Sequence, residues 1–100
     1  MSVLAIVKMT VFPKKCQELL QTLEILKNTT CQAGSGCLEY RFYKERGDEN
    51  TIIMIMEWQT QEKLEAYQNT DLFKVLQGAA SLLCQNFELR IGAEPVEPDH

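Results

Sequence analysis

Thr51-Ile-Ile-Met-Ile-Met-Glu-Trp58 reads as a β-strand with apolar side chains on both faces. With a side-chain period of two, Ile52, Met54, Met56 and Trp58 point one way. Ile53 and Ile55 point the other way, with Glu57 at the end of that row. A strand of this kind wants a cover on each side. A chain of 100 residues supplies helices for one side only, so the second cover has to come from elsewhere.

Working outward, residues 2–11 predict a first strand, with Val3, Ala5, Val7, Met9 and Val11 on one face and Leu4 and Ile6 on the other. Phe12-Pro13 breaks that run, and Pro13 suits the first turn of a helix. The helix is expected over 14–29, because Cys16, Leu19, Leu20, Leu23 and Leu26 recur at three-four spacing. Ala33-Gly-Ser-Gly36 is a turn; with no Lys-Ser/Thr after it, it is no phosphate loop. A second strand is expected over 37–44, with Leu38, Tyr40 and Phe42 on one face and Cys37, Glu39, Arg41 and Tyr43 on the other. Gly47 marks a polar hairpin loop over 45–50, and its Arg46-Gly47-Asp48 triplet suits a turn. Thr60 caps a short helix over about 61–68 that carries Leu64 and Tyr67 on its inner face. A longer helix over 71–83 follows, striped by Leu72, Phe73, Leu76, Ala80 and Leu83. The last strand is expected over 86–92, with Phe87, Leu89 and Ile91 on one side.

This order is the split β-α-β-β-α-β arrangement, an α+β, ferredoxin-like fold with an antiparallel sheet and its long helices on one face. Residues 1–92 form the domain, and 93–100 are expected to be a flexible acidic tail. The other sheet face would expose large apolar side chains from at least two strands. A second copy of the chain is the simplest cover, so a homodimer is expected, its two sheets facing each other as a dimeric α+β barrel.

The formal net charge of −4, with scattered lysines and arginines, argues against nucleic acid as a partner. No apolar run reaches about 18 residues, so no membrane span is expected. The N-terminus lacks the basic start and long apolar segment of a signal peptide, which makes the cytoplasm the default location. Four cysteines, Cys16, Cys31, Cys37 and Cys84, contain no C-x-x-C pair, and the one histidine is His100. No metal site is expected from them. Buried or half-buried thiols are the expected state, with Cys31 and Cys37, flanking the glycine turn, the first pair to check for a disulfide or a reactive thiol.

The stretch Ile55-Met-Glu-Trp-Gln-Thr-Gln-Glu-Lys-Leu-Glu-Ala-Tyr67, followed by Asp71-Leu-Phe73, resembles the antibiotic biosynthesis monooxygenase domain family, as does Gly36-Cys-Leu-Glu-Tyr40. The resemblance covers roughly residues 2–92. It implies the same split sheet in a dimeric barrel, and chemistry of the kind run by cofactor-free oxygenases on quinols or phenols. In the oxygenase and isomerase groups a histidine commonly ends the phrase that here ends in Tyr67, and a second often follows near Asp71-Leu72. This chain has neither. Positions matching the haem-degrading relatives' asparagine, tryptophan and histidine look like Val7, Tyr67 and Gln77, so haem chemistry is not carried over.

A cofactor-free oxygenase turns its substrate into a reductant for dioxygen, usually by removing a phenolic proton. That needs a base and a polar group to hold the anion. Tyr67 and Glu57 are the catalytic candidates. The Tyr67 hydroxyl either orients a phenolic substrate or belongs to a packed ring. Glu57, beside Ile53 and Ile55, is a base with a raised pKa, an ion-pair partner of Arg41 or Arg90, or a solvated strand end. Trp58 is a core anchor or an aromatic pocket wall. Arg41, Tyr43, Phe73 and Gln77 complete the candidate substrate pocket. The function expected is a cofactor-independent monooxygenase of a small aromatic or quinol-type substrate, with no cofactor. The alternative is a non-catalytic dimeric barrel that binds a small apolar ligand or a protein partner.

Overall fold

The computed structural model describes residues 2–93; of the expected tail over 93–100, Ala93 still belongs to the last strand, and the rest, with His100, lies outside the described residues. Four strands, β1 (Val3–Val11), β2 (Cys37–Lys44), β3 (Thr51–Trp58) and β4 (Cys84–Ala93), form one sheet in the order β2-β3-β1-β4. Every neighbouring pair is antiparallel. Helices α1 (Cys16–Thr30), α2 (Gln61–Gln68) and α3 (Asp71–Leu83) complete the expected order.

The opening stretch behaves as its pattern dictates. Ile52, Met54, Met56 and Trp58 are fully or almost fully buried, and they lie beside Val3, Ala5, Val7 and Met9 of β1, which are buried too. Leu19, Leu23 and Leu26 of α1 and Phe73, Leu76 and Ala80 of α3 share one core with this face. Burial of that apolar stripe, rather than helix propensity, holds the helices on the sheet. The opposite face carries Leu4, Ile6, Ile53 and Ile55, with no helix over them among the described residues. Charged residues frame this strip: Arg41 lies opposite Ile55, Lys8 opposite both Ile53 and Glu88, and Arg90 opposite Ile6.

The structure revises several boundaries. Helix α1 begins at Cys16, not at 14. Residues 12–15 form a turn instead, with the Lys15 N–H donating to the Phe12 carbonyl at 3.1 Å and Lys14 in the left-handed region at φ 69°. The Phe12 N–H is already committed to the Leu83 carbonyl at 2.9 Å, so the chain has to turn before a helix can start. Pro13 therefore sits in this turn and not in the helix. Strand β4 begins at Cys84, two residues early, because the buried Cys84 pairs with Val11 directly after α3.

Leu38 is 56% exposed, against its expected place beside Tyr40 and Phe42. Between Cys37 and Glu39 the β2–β3 register slips, Cys37 facing Trp58 and Glu39 facing Glu57. Leu38 is the extra residue of a bulge, and a bulged residue leaves the alternation that would have turned it inward. The hairpin loop is fixed by Asp48, whose carboxylate accepts from the Asn50 N–H at 2.9 Å and the Thr51 hydroxyl at 2.7 Å. Those bonds hold its carboxyl below the usual range.

Candidate functional site

Local chemistry at α2 and α3 sets the position of the aromatic candidates. The Thr60 hydroxyl accepts from the Lys63 N–H at 3.1 Å and starts α2 directly after β3. Ten residues later the Thr70 hydroxyl accepts from the Phe73 N–H at 3.4 Å and donates to the Tyr67 carbonyl at 2.6 Å. One threonine thus ends α2 and begins α3. The outcome is a cluster of three rings. Trp58 and Tyr67 stack with centroids 4.8 Å apart, and Phe73 meets Tyr67 edge-on at 5.4 Å.

Trp58 and Tyr67 border a hollow of about 360 Å³ between the end of α1, the glycine turn and α2, lined among others by Thr30, Gly34, Trp58, Lys63, Tyr67 and Leu72. Among the described residues, four buried side-chain polar atoms lack a hydrogen-bond partner: Thr30 Oγ1, Tyr40 Oη, Trp58 Nε1 and Tyr67 Oη. Three of the four belong to residues lining this hollow, and Tyr40 is close enough for Tyr67 to influence its ionisation. An unsatisfied buried polar group costs about 1–3 kcal/mol. Several in one place call for an explanation, and a ligand's polar atoms supply one.

Burial pushes the Tyr67 hydroxyl up to about 12, and the neighbouring Thr30 hydroxyl pulls it partly back without completing a hydrogen bond. Burial pushes Tyr40 up as well, helped by Tyr67. Both are therefore neutral phenols at ordinary pH, able to donate a hydrogen bond but unsuited to act as a base. An alkaline response follows. Above about pH 10 an unfolded chain sheds these tyrosine protons while the folded chain keeps them. The unfolded state then binds fewer protons, so stability falls as pH rises through that window and is unaffected below it. For Tyr67 the rise from 10.0 to about 12 is worth about 3 kcal/mol. The urea midpoint should hold up to about pH 9 and fall between about 10 and 12, and Tyr67→Phe should remove part of that fall. An identical pH profile for the variant would contradict this origin.

The remaining candidates lie elsewhere. Glu57, Arg41 and Tyr43 belong to the open sheet face, on the far side of the sheet from Trp58 and Tyr67. Arg41 pairs with Glu39 of its own strand, and its Nη1 donates to Tyr43 Oη at 3.4 Å. Glu57 faces Leu4 and Glu39 across the sheet and forms no ion pair with Arg41 or Arg90 among the described residues. Gln77 is exposed and lines a separate hollow of about 430 Å³ with Ser81, Cys84 and Phe87. Of the expected set, Trp58, Tyr67 and Phe73 are brought together in the ring cluster, and Arg41 and Tyr43 meet separately on the other face.

Thr30 and Tyr40 escaped the sequence reading as polar contributors. The signal was present: Thr30 extends the stripe Leu19, Leu23, Leu26, and Tyr40 takes an inward position on β2, so each buries a hydroxyl. The cysteine expectation also changes for one pair. Cys31 and Cys37 form a disulfide, while Cys16 and Cys84 are free thiols, with Cys84 raised by burial. Among the described residues no cluster of His, Cys, Asp or Glu could hold a metal ion, and no helix is long and apolar enough to cross a membrane.

The antibiotic biosynthesis monooxygenase family model matches residues 2–79. Among solved structures, a conserved protein from Methanosarcina mazei Go1 is 24% identical with a TM-score of 0.87, covering 95% of this chain and 94% of that one. PA3566 from Pseudomonas aeruginosa is 26% identical with a TM-score of 0.80, covering 95% of both. A structure of an antibiotic biosynthesis monooxygenase is 21% identical with a TM-score of 0.78, covering 93% and 99%. No curated protein matches the chain.

Proposed function

The chain belongs to the antibiotic biosynthesis monooxygenase family, and from that premise we propose that it is a cofactor-independent monooxygenase of a small aromatic or quinol-type substrate. The observation that supports this most is the group of unpartnered buried hydroxyl and indole groups beside a wall of stacked rings. A planar phenol would stack on Trp58 or Tyr67, and its oxygen would accept from the Tyr67 hydroxyl and the Trp58 N–H. With the Lys63 ammonium at the rim, these donors favour the bound phenolate over the phenol. The phenolic proton leaves to solvent. The phenolate is then electron-rich enough to reduce dioxygen. For a phenol with a free para position, one oxygen atom takes the place of the single hydrogen on that ring carbon, the phenolic hydrogen is already lost, and the product is a quinone; the other oxygen atom leaves as water with those two hydrogens.

One observation favours the second reading, a barrel that binds an apolar ligand without turnover. No histidine occurs before His100, and burial raises both site tyrosines, so the cluster lacks a base of its own. Substrates that ionise readily are therefore the ones expected to react. Oxygen uptake with a panel of phenols and hydroquinones of graded acidity should be fastest for the most acidic, and Tyr67→Phe should lower kcat/KM by about 10-fold or more, the loss of one transition-state donor. No uptake with any member, alongside saturable quenching of Trp58 fluorescence by the same compounds, would establish the binding protein instead.

The same proposal includes a homodimer formed through the open sheet face. Leu4, Ile6, Ile53 and Ile55 are only partly covered, and charges of both signs surround them, as a self-complementary two-fold interface requires. A cytoplasmic location completes the reading.

A further inference from the structure

The Cys31–Cys37 pair takes no part in the chemistry above, yet it stands against the same hollow. Cys31 directly follows Thr30, and Cys37 faces Trp58 in the β2–β3 register. Between the two cysteines, Gln32, Ala33, Gly34 and Ser35 form one wall of the hollow. The two Cα atoms are 5.1 Å apart, within the span a disulfide bridges. We propose that Cys31 and Cys37 are a reversible dithiol–disulfide site that exchanges with a small thiol of the glutathione class, and that its oxidation state controls access to the Trp58–Tyr67 hollow.

Three features support exchange. Both cysteines are half-buried, not sealed, and both line a surface depression of about 320 Å³ into which a small thiol fits. Lys63 borders that depression, and Lys27 borders Cys31 from the other side. Lysines on both sides make the surroundings of the pair positive on balance, which favours the thiolate, the reactive form. Glu39, the carboxylate nearest on the Lys27 side, is already paired with Arg41. The Cys37 sulfur also lies 3.3 Å from the Glu39 carbonyl, so the thiol created by reduction has an acceptor waiting.

Gating follows from how little else holds the turn. Its backbone bonds are Ser35 N–H to the Gln32 carbonyl at 3.1 Å, Cys37 N–H to Ser35 Oγ at 3.2 Å, and Gln59 N–H to the Gly36 carbonyl at 2.8 Å. Gly36 is pressed against Lys63, where an added Cβ would sit 2.7 Å from its Cγ. The C-terminal end of the turn is thus anchored beside Trp58, and its N-terminal end closes α1 through the Cys31 N–H on the Lys27 carbonyl at 3.1 Å, so Gln32–Ser35 bridge two fixed ends that the disulfide ties together. The site donors are closed off from water in the bridged state. Releasing Cys31 from Cys37 lets Gln32–Ser35 swing away and uncovers them.

The exchange is balanced. In oxidation, one cysteine thiolate attacks a sulfur of glutathione disulfide, a mixed disulfide forms, and one glutathione thiolate leaves. The second cysteine thiolate attacks the mixed disulfide, closes the Cys31–Cys37 bond and expels the second glutathione. Two cysteine thiols are oxidised by two electrons and glutathione disulfide is reduced by two; reduced glutathione runs the sequence backwards.

The test uses the whole chain and no substrate, so its outcome is separate from that of the oxygen-uptake experiment. Trp58 is the only tryptophan and reports on the hollow. The protein is equilibrated in glutathione disulfide or in excess reduced glutathione, desalted, and quenched with acrylamide. Alkylation after denaturation counts the free thiols. Two alkylated cysteines after oxidation and four after reduction, with a severalfold larger quenching constant in the reduced form, are expected. Cys31→Ser should show the reduced-form quenching after either treatment. Equal thiol counts after the two treatments would overturn exchange, and equal quenching in the two forms of the unsubstituted protein would overturn gating, whether or not the variant folds.

Discussion

Trp58→Ala should leave the chain unfolded, or close to it, at 37 °C. Trp58 is 1% exposed, ends the central strand β3 and stacks on Tyr67, which in turn meets Phe73. Truncating a buried tryptophan costs about 3–5 kcal/mol, which is a large part of the about 5–15 kcal/mol that holds a domain of this size. At about 4 °C or more per kcal/mol, the melting temperature should drop by more than about 12 °C. Trp58→Phe should behave differently. It keeps a ring against Tyr67 and deletes Nε1, which lacks a partner in the folded chain. The volume lost costs stability, and removing an unsatisfied donor restores some of it, so its melting temperature should stay much nearer the parent's. Binding of 1-naphthol by Trp58→Phe, followed calorimetrically, should nonetheless weaken, because the donor proposed to meet the phenolic oxygen is gone. If Trp58→Phe bound 1-naphthol as tightly as the parent, the indole N–H would have no part in the site.

Much of this fold is written in alternation. The rows Val3, Ala5, Val7, Met9 and Ile52, Met54, Met56, Trp58 are buried as period two requires, and the stripes of α1 and α3 meet them. The departures come from backbone details that a residue pattern does not carry. The bulge at Leu38 is invisible until the β3 partner is known, and Lys14 adopts a left-handed conformation no lysine advertises. For the site, the phrase ending at Tyr67 led to the three rings, because a strand end, a capped turn and a helix follow one another with little freedom between them. Glu57, Arg41 and Tyr43 do not join those rings, because parity sets them on the other face of the sheet. Ile53 and Ile55 make Glu57 look like a carboxylate in an apolar setting, but their face is an uncovered surface among the described residues. Thr30 and Tyr40 were hidden for the opposite reason, since a hydroxyl at a buried periodic position reads as one more core residue.

Ile6→Lys should convert the proposed dimer into a monomer without unfolding the sheet. Ile6 lies on β1, next to the centre of the sheet, and is 38% exposed in the isolated chain. It faces Ile55 on one side and Arg90 on the other, and Lys8 follows two residues along the same face. A lysine there joins Lys8 and Arg90 in a depression whose one carboxylate, Glu88, already lies opposite Lys8, so in a face-to-face dimer its ammonium is buried without a carboxylate of its own. Two-fold symmetry introduces the change twice. At about 2 kcal/mol or more for each buried unpaired group, the pair weakens association by about 4 kcal/mol, roughly a thousandfold in Kd. The monomer should tolerate the substitution, because the lysine side chain reaches water on the open face and the buried face of β1 is untouched. Light scattering at micromolar concentration should show the parent at twice the chain mass and the variant at the chain mass, with the same far-ultraviolet circular dichroism. Should the parent itself scatter as a monomer, the open face is covered by something other than a second copy. Should the variant remain dimeric, the interface lies on another face, and the strip of Leu4, Ile6, Ile53 and Ile55 that began as a burial problem in Thr51–Trp58 would still lack its cover.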